Sequence, residues 1–94
     1  MDMDRIENAL GDIAQSYEKA RCRHAPMRGP HEGYAVLLEE VDELWDEVKA
    51  WQPHPGSDNE EILLRRYADN MAKMRKEALH VAAMALAFLL EVCE

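Results

Sequence analysis

The stretch LLEEVDELWDE at positions 37–47 holds six acidic side chains in eleven residues. Leu37, Leu38, Val41, Leu44 and Trp45 recur among them at the spacing of an amphipathic helix. Like charges three or four residues apart on a helix repel by roughly 0.2–0.5 kcal/mol per pair, so this charge is concentrated at a cost. At about 100° per residue, Glu40, Glu43 and Glu47 form one row against an edge of the apolar stripe of Leu37, Val41, Leu44 and Val48, with Glu39 just outside it. Asp42 and Asp46 point elsewhere, toward water. Carboxylates bordering a buried face need a counter-charge, and Lys49 is the only lysine or arginine in that segment. A divalent cation would supply it, and Mg²⁺ prefers hard oxygen ligands.

A second segment offers the complement. From Ala78 to Val92 the chain is apolar almost all the way round a helix, and its polar exceptions, with Glu77 just before it, are His80 and Glu91. On a helical wheel these three share a stripe with Met84 and Ala87, and Glu77 and His80, three residues apart, point the same way. Two antiparallel helices with these rows facing each other would gather three or four carboxylates and one imidazole, the kind of metal site that bundles build from facing side chains. Hard cations held by carboxylates commonly serve phosphate ligands, neutralising charge and activating water, so the expected substrate carries phosphates.

The elements that must position these groups are helical. Ninety-four residues make one domain, 1–94. The chain is 48% apolar, with four glycines, four prolines, few β-branched residues and many good helix formers, a composition that favours an all-α fold. The apolar spacing of Ile6, Leu10, Ile13 and Tyr17 predicts a helix over about 3–21. Pro30 suits the first turn of a second helix running to Lys49 or Trp51, and WQPHPGSDN forms a loop. Ser57-x-x-Glu60 and Asp58-x-x-Glu61 read as capping boxes for a third helix over 58–92, with Asp69-Asn70 as the place for a break. The expectation is a compact bundle of three to four helices. Three blocks cannot easily cover every side of VAAMALAFLLEV, so a homodimer or larger assembly is expected.

A net charge of −8 argues against a general nucleic-acid binder, which would need a basic face, and no direct nucleic-acid binding is expected. It leaves room for a nucleotide, because a bound cation reverses the local sign. Cys22 and Cys93 lack metal-type spacing and read as free thiols. VAAMALAFLLEV is too short to span a bilayer, and the acidic, amphipathic N-terminus is not a signal peptide. The expected location is the cytoplasm.

Glu39-Glu40-x-x-Glu43 followed by Glu77-x-x-His80 resembles the EExxE…ExxD signature of MazG-like nucleotide pyrophosphohydrolases, in the all-α NTP pyrophosphohydrolase superfamily. The resemblance covers roughly residues 31–92. It implies a helical bundle acting as a dimer or tetramer, and Mg²⁺-dependent hydrolysis of a nucleoside triphosphate to monophosphate and pyrophosphate. Carried over, Glu40 and Glu43 look like the first metal-ligand pair and Glu77 like the third ligand, with Glu39 assisting at the metal or orienting water. His80 stands where the family has aspartate, a nitrogen that admits Mn²⁺ beside Mg²⁺. The gap between the half-motifs is also long for the family, filled by the Pro53 loop and EEILLRRYADNMAKM, which implies a different choice of substrate. Arg75 and Lys76, directly before Glu77, could reach substrate phosphates, as could the group Lys19, Arg21, Arg23 and Arg28; the alternative for both is a solvated helix face. Trp51 and Tyr34 could stack on a base or pack on the core. The competing expectation for the whole chain is a non-catalytic helical module serving assembly or partner binding.

Overall fold

The computed structural model describes residues 2–51 and 60–94, the side chains of 60 and 63 apart. It consists of three helices, α1 (Met3–Arg23), α2 (Pro30–Ala50) and α3 (Glu60–Glu91), with no strand among the described residues. The fold is all-α, as composition and periodicity predict. The two capping boxes at 57–58 and the Pro53 loop lie outside the described residues.

Each helix end has a local cause. Asp2 caps α1, its side chain accepting from the Arg5 N–H at 3.2 Å, and Arg21 and Arg23 in the last turn complement the helix dipole. Pro30 opens α2 in the first turn, where its missing N–H costs nothing. α3 runs 32 residues without a break. Asp69 and Asn70 do not interrupt it, because no Pro or Gly in that span removes a backbone bond or frees the chain to turn.

α2 and α3 run antiparallel, with Gly33 against Phe88 near one end and Glu40 beside Glu77 and His80 further along. α1 lies along α3 in the parallel sense: Asp12 pairs with Arg75, and Tyr17 and Arg21 reach Glu91. Both outer helices pack on α3 and not on each other. A cleft therefore opens between them, floored by Ala83, Met84 and Ala87 of α3.

The rotation of α2 about its axis corrects the sequence reading. Val41 and Val48 were expected on the buried face, yet both are exposed, together with Tyr34, Leu38 and Trp45. The side of α2 turned toward α3 carries Gly33, Val36, Leu37, Glu40, Leu44 and Glu47 instead. Gly33 is the physical reason. It is buried so closely that a Cβ there would lie 2.8 Å from the Phe88 ring and 3.1 Å from the Met27 sulfur. Bringing that side inward carries Glu40 with it, two turns along the same face. Glu40 and Glu47 thus lie on the side facing the neighbouring helix, with Glu43 at its solvent edge.

Burial is sparse. Met27, Ala83 and Ala87 are the buried hydrophobic residues among those described. VAAMALAFLLEV, which three blocks were not expected to cover on every side, has Ala83 and Ala87 buried, Leu89 and Leu90 exposed and its other residues half-buried. Exposed apolar side chains lie on all three helices, among them a row of five along the outer side of α2 (Tyr34, Leu38, Val41, Trp45 and Val48) and Ile62, Leu64 and Tyr67 in the first half of α3. No helix among the described residues is long and apolar enough to cross a membrane.

Glu91 fastens the far end of the bundle. Its carboxylate accepts from the Met27 N–H (2.8 Å), the Tyr17 O–H (2.9 Å) and the Arg21 guanidinium (3.0 Å), joining α1 and the α1–α2 connection to the end of α3. Burial pushes the carboxyl's pKa up, but the three donors outweigh it and hold the pKa below its ordinary value. The stability this adds is present above the unfolded pKa, about 4.3, and is lost as pH falls through the lower folded value. Glu91→Ala is expected to destabilise the fold by about 2–3 kcal/mol at neutral pH and to flatten the acid limb of the stability curve, both readable by urea titration from pH 7 to pH 3. An unchanged midpoint would show that the clasp contributes nothing.

Candidate metal centre

Four side chains converge where α2 crosses α3. Glu40 and Glu43, three residues apart, stand on one face of α2; Glu77 and His80, with the same spacing, face them from α3. One ligand atom from each lies within 4.8 Å of all the others. These are the four residues expected as metal ligands, and the antiparallel packing brings them together.

Their surroundings are uneven. Glu40 and Glu77 are partly buried, their side chains 23% and 17% exposed, while Glu43 opens to solvent. The Oε2 atoms of both Glu40 and Glu77 are buried without a hydrogen-bond partner. The His80 Nδ1 is 3.7 Å from the first and 3.4 Å from the second, too far for a good hydrogen bond to either. Buried carboxylate oxygens are almost always satisfied. Two orphaned oxygens converging on one point, with an imidazole nitrogen beside them, suit a divalent ion: three hard oxygen donors and one nitrogen form a set that Mg²⁺ or Mn²⁺ accepts.

The electrostatics agree with the geometry. Glu40 has its pKa raised to about 7, first by burial and then by the neighbouring Glu43 carboxylate, with His80 opposing. A cation among these groups would relieve both burial and repulsion.

The remaining expected residues are placed less uniformly. Glu39 is exposed and lines the larger cleft, about 610 Å³, beside Glu40 and outside the four-ligand group. Glu47 is half-buried on the same side of α2 but is not among the converging ligands. Arg75 and Lys76 line a smaller cleft that also reaches His80, and Arg75 is held by Asp12 at 2.6 Å. Trp51 stands at the end of α2, eleven residues and about 16 Å of helix rise beyond Glu40, and lines neither cleft. Tyr34 faces outward and lines neither. In the second basic group, Arg21 is bound to Glu91 and Arg28 to Glu32, whereas Lys19 and Arg23 line the larger cleft.

Two features were missed by sequence reasoning. Ser16 and Tyr17 of α1 form part of the larger cleft's wall; Tyr17 was visible only as a member of the helix's apolar stripe, and nothing distinguishes Ser16. Glu91 was visible as a polar residue on the stripe of His80 and Met84, a signal that it meets a partner there. No protein-family model, curated protein or solved structure matches the chain.

Proposed function

We propose that this chain is a metal-dependent nucleoside triphosphate pyrophosphohydrolase of the MazG-like kind, acting as a homodimer or homotetramer in the cytoplasm. The pair of orphaned oxygens on Glu40 and Glu77 carries the reading, because two buried carboxylate oxygens without donors are what a cation would satisfy. The order of the half-motifs and their meeting on facing helices support it. Glu40, Glu43, Glu77 and His80 would hold Mg²⁺, or Mn²⁺ through the imidazole. When bound, such an ion lowers the pKa of water and offsets charge on a leaving pyrophosphate.

The chain's own residues supply the rest. Glu40 and Glu77, anchored on two packed helices, fix the ligand oxygens with little freedom to relax. Glu39, exposed at the rim of the cleft beside them, is placed to orient a water. The cleft's volume is that of an ordinary small-molecule site. Hydrolysis at the α–β linkage then needs the phosphate chain to lie across the cluster, with the nucleoside extending into the cleft.

The test is a screen of canonical and modified nucleoside triphosphates with Mg²⁺ and with Mn²⁺, scored by pyrophosphate release. Release by wild type and its loss in Glu77→Gln supports the reading; no release with any nucleotide overturns it. His80 is read in the same assay. As a ligand it makes activity higher with Mn²⁺ than with Mg²⁺, and His80→Asp shifts the ratio toward Mg²⁺. An unchanged ratio removes His80 from the ligand set and leaves the three glutamates. The exposed apolar side of α2 favours one alternative, a non-catalytic assembly module, in which alanine at Glu40, Glu43 and Glu77 leaves assembly intact and no hydrolysis is found in wild type.

A further inference from the structure

We infer that Lys19 of α1 is the residue that grips the substrate's phosphate chain, an assignment that rests on the pyrophosphohydrolase reading. Three residues line both clefts, Ser16, Lys19 and His80, so they form the ridge between the clefts. His80 belongs to the carboxylate cluster, and Ser16 and Lys19 stand one turn apart on α1 across from it.

The other lysines and arginines nearby are paired or line only one of the two clefts. Arg21 is committed to Glu91, Arg28 to Glu32, and Arg75 to Asp12. Arg23 lines the larger cleft alone and Lys76 the smaller one alone. Lys19 has no ion pair among the described residues. It is a strongly hydrated point charge on a flexible stem, suited to follow a phosphate group without fixed geometry.

The placement also has a charge rationale. A polyphosphate approaching a protein of net charge −8 meets three glutamates, and one divalent ion does not offset them. A free ammonium on the opposite wall supplies positive charge where the chain of phosphates leaves the cluster, and the Ser16 hydroxyl adds a donor beside it. The phosphate tail therefore lies along α1, and the nucleoside points toward α2 and the floor at Ala83 and Ala87.

The competing role for Lys19 is that of a resident counter-ion to the cluster. Inorganic tripolyphosphate in the presence of Mg²⁺ separates the two roles, with titration calorimetry on wild type, Lys19→Gln and Lys19→Arg, and Mn²⁺ binding followed by electron paramagnetic resonance. A phosphate grip predicts that Lys19→Gln weakens tripolyphosphate binding about tenfold or more, that Lys19→Arg retains most of it, and that Mn²⁺ affinity is unchanged. A counter-ion predicts tighter Mn²⁺ binding in Lys19→Gln, and that result overturns the assignment, as does unaltered tripolyphosphate binding or a wild type that does not bind it. If wild type binds tripolyphosphate through Lys19 yet hydrolyses no nucleotide, the pyrophosphohydrolase reading fails and the phosphate site stands. If nucleotides are hydrolysed equally well by Lys19→Gln, the reverse holds.

Discussion

Millimolar Mg²⁺ or Mn²⁺ is expected to raise the melting temperature of the wild-type protein by about ten degrees or more, and Glu43→Ala and Glu77→Ala are expected to lose that response. A ligand present at about 100 times its Kd stabilises the native state by about 2.7 kcal/mol, and each kcal/mol moves the midpoint of a domain this size by about 4–8 °C. If the proposed hydrolysis takes place, the same substitutions are expected to lower pyrophosphate release by about a hundredfold or more, the usual cost of removing one group that stabilises developing charge. The response also depends on pH. With its pKa raised to about 7, Glu40 keeps a proton in the folded state that the unfolded chain has already lost. Metal-free stability from this group is full below the ordinary carboxylate value and is lost as pH rises through about 7. A cation must displace that proton, so the stabilisation grows between pH 6 and pH 8. Calorimetric scans at the two pH values, with metal and with EDTA, measure it. A wild-type midpoint indifferent to metal at pH 8 removes the basis for the metal centre.

Light scattering is expected to return a dimer or tetramer for wild type at micromolar concentration, and a monomer for Val41→Lys/Trp45→Lys. Tyr34, Leu38, Val41, Trp45 and Val48 repeat at alternating spacings of four and three along the outer side of α2, and each is 37–62% exposed. Beneath them the described core has three buried hydrophobic residues, too few for comfort in a chain of 94 residues. A continuous apolar stripe of this length is the seam along which helices associate. Placing charge at its centre leaves an ammonium to be desolvated, and losing a central Trp alone commonly costs 2 kcal/mol or more, so the association constant falls by about a hundredfold or more. Because association and folding are linked, the wild-type midpoint rises with protein concentration, while the double variant melts lower and independently of concentration. A concentration-independent midpoint with a monomeric mass would rule out assembly through this face.

The pair of half-motifs was legible because each spans a single helical turn. Three-residue spacing forces Glu40 and Glu43, or Glu77 and His80, onto one side whatever the rest of the chain does. Helix bounds followed from punctuation, Pro30 above all. The rotation of α2 was not legible. A wheel shows which residues share a face but not which face meets a neighbour, and the apolar stripe through Val41 was the natural choice. The decision lay with Gly33, which by propensity reads only as a weak helix residue. The stripe on α3 marked Glu91 as a residue that meets a partner, but its partners Tyr17, Arg21 and Met27 lie more than sixty residues away along the chain, and local periodicity does not name them.

Gly33 has a wider consequence for how this protein tolerates change. It lies seven residues before Glu40, on the same face of a rigid rod, with no room between its Cα and the Phe88 ring. Any side chain there must displace the Phe88 ring and the Met27 sulfur or move α2 itself, and a shift of the helix would carry to Glu40. Mutational freedom around the centre therefore follows axial geometry rather than chemical character. Asp42 and Asp46, charged and near the ligands in sequence, face solvent and can drift. The residue with no side chain at all is constrained as tightly as a ligand, although it donates no atom.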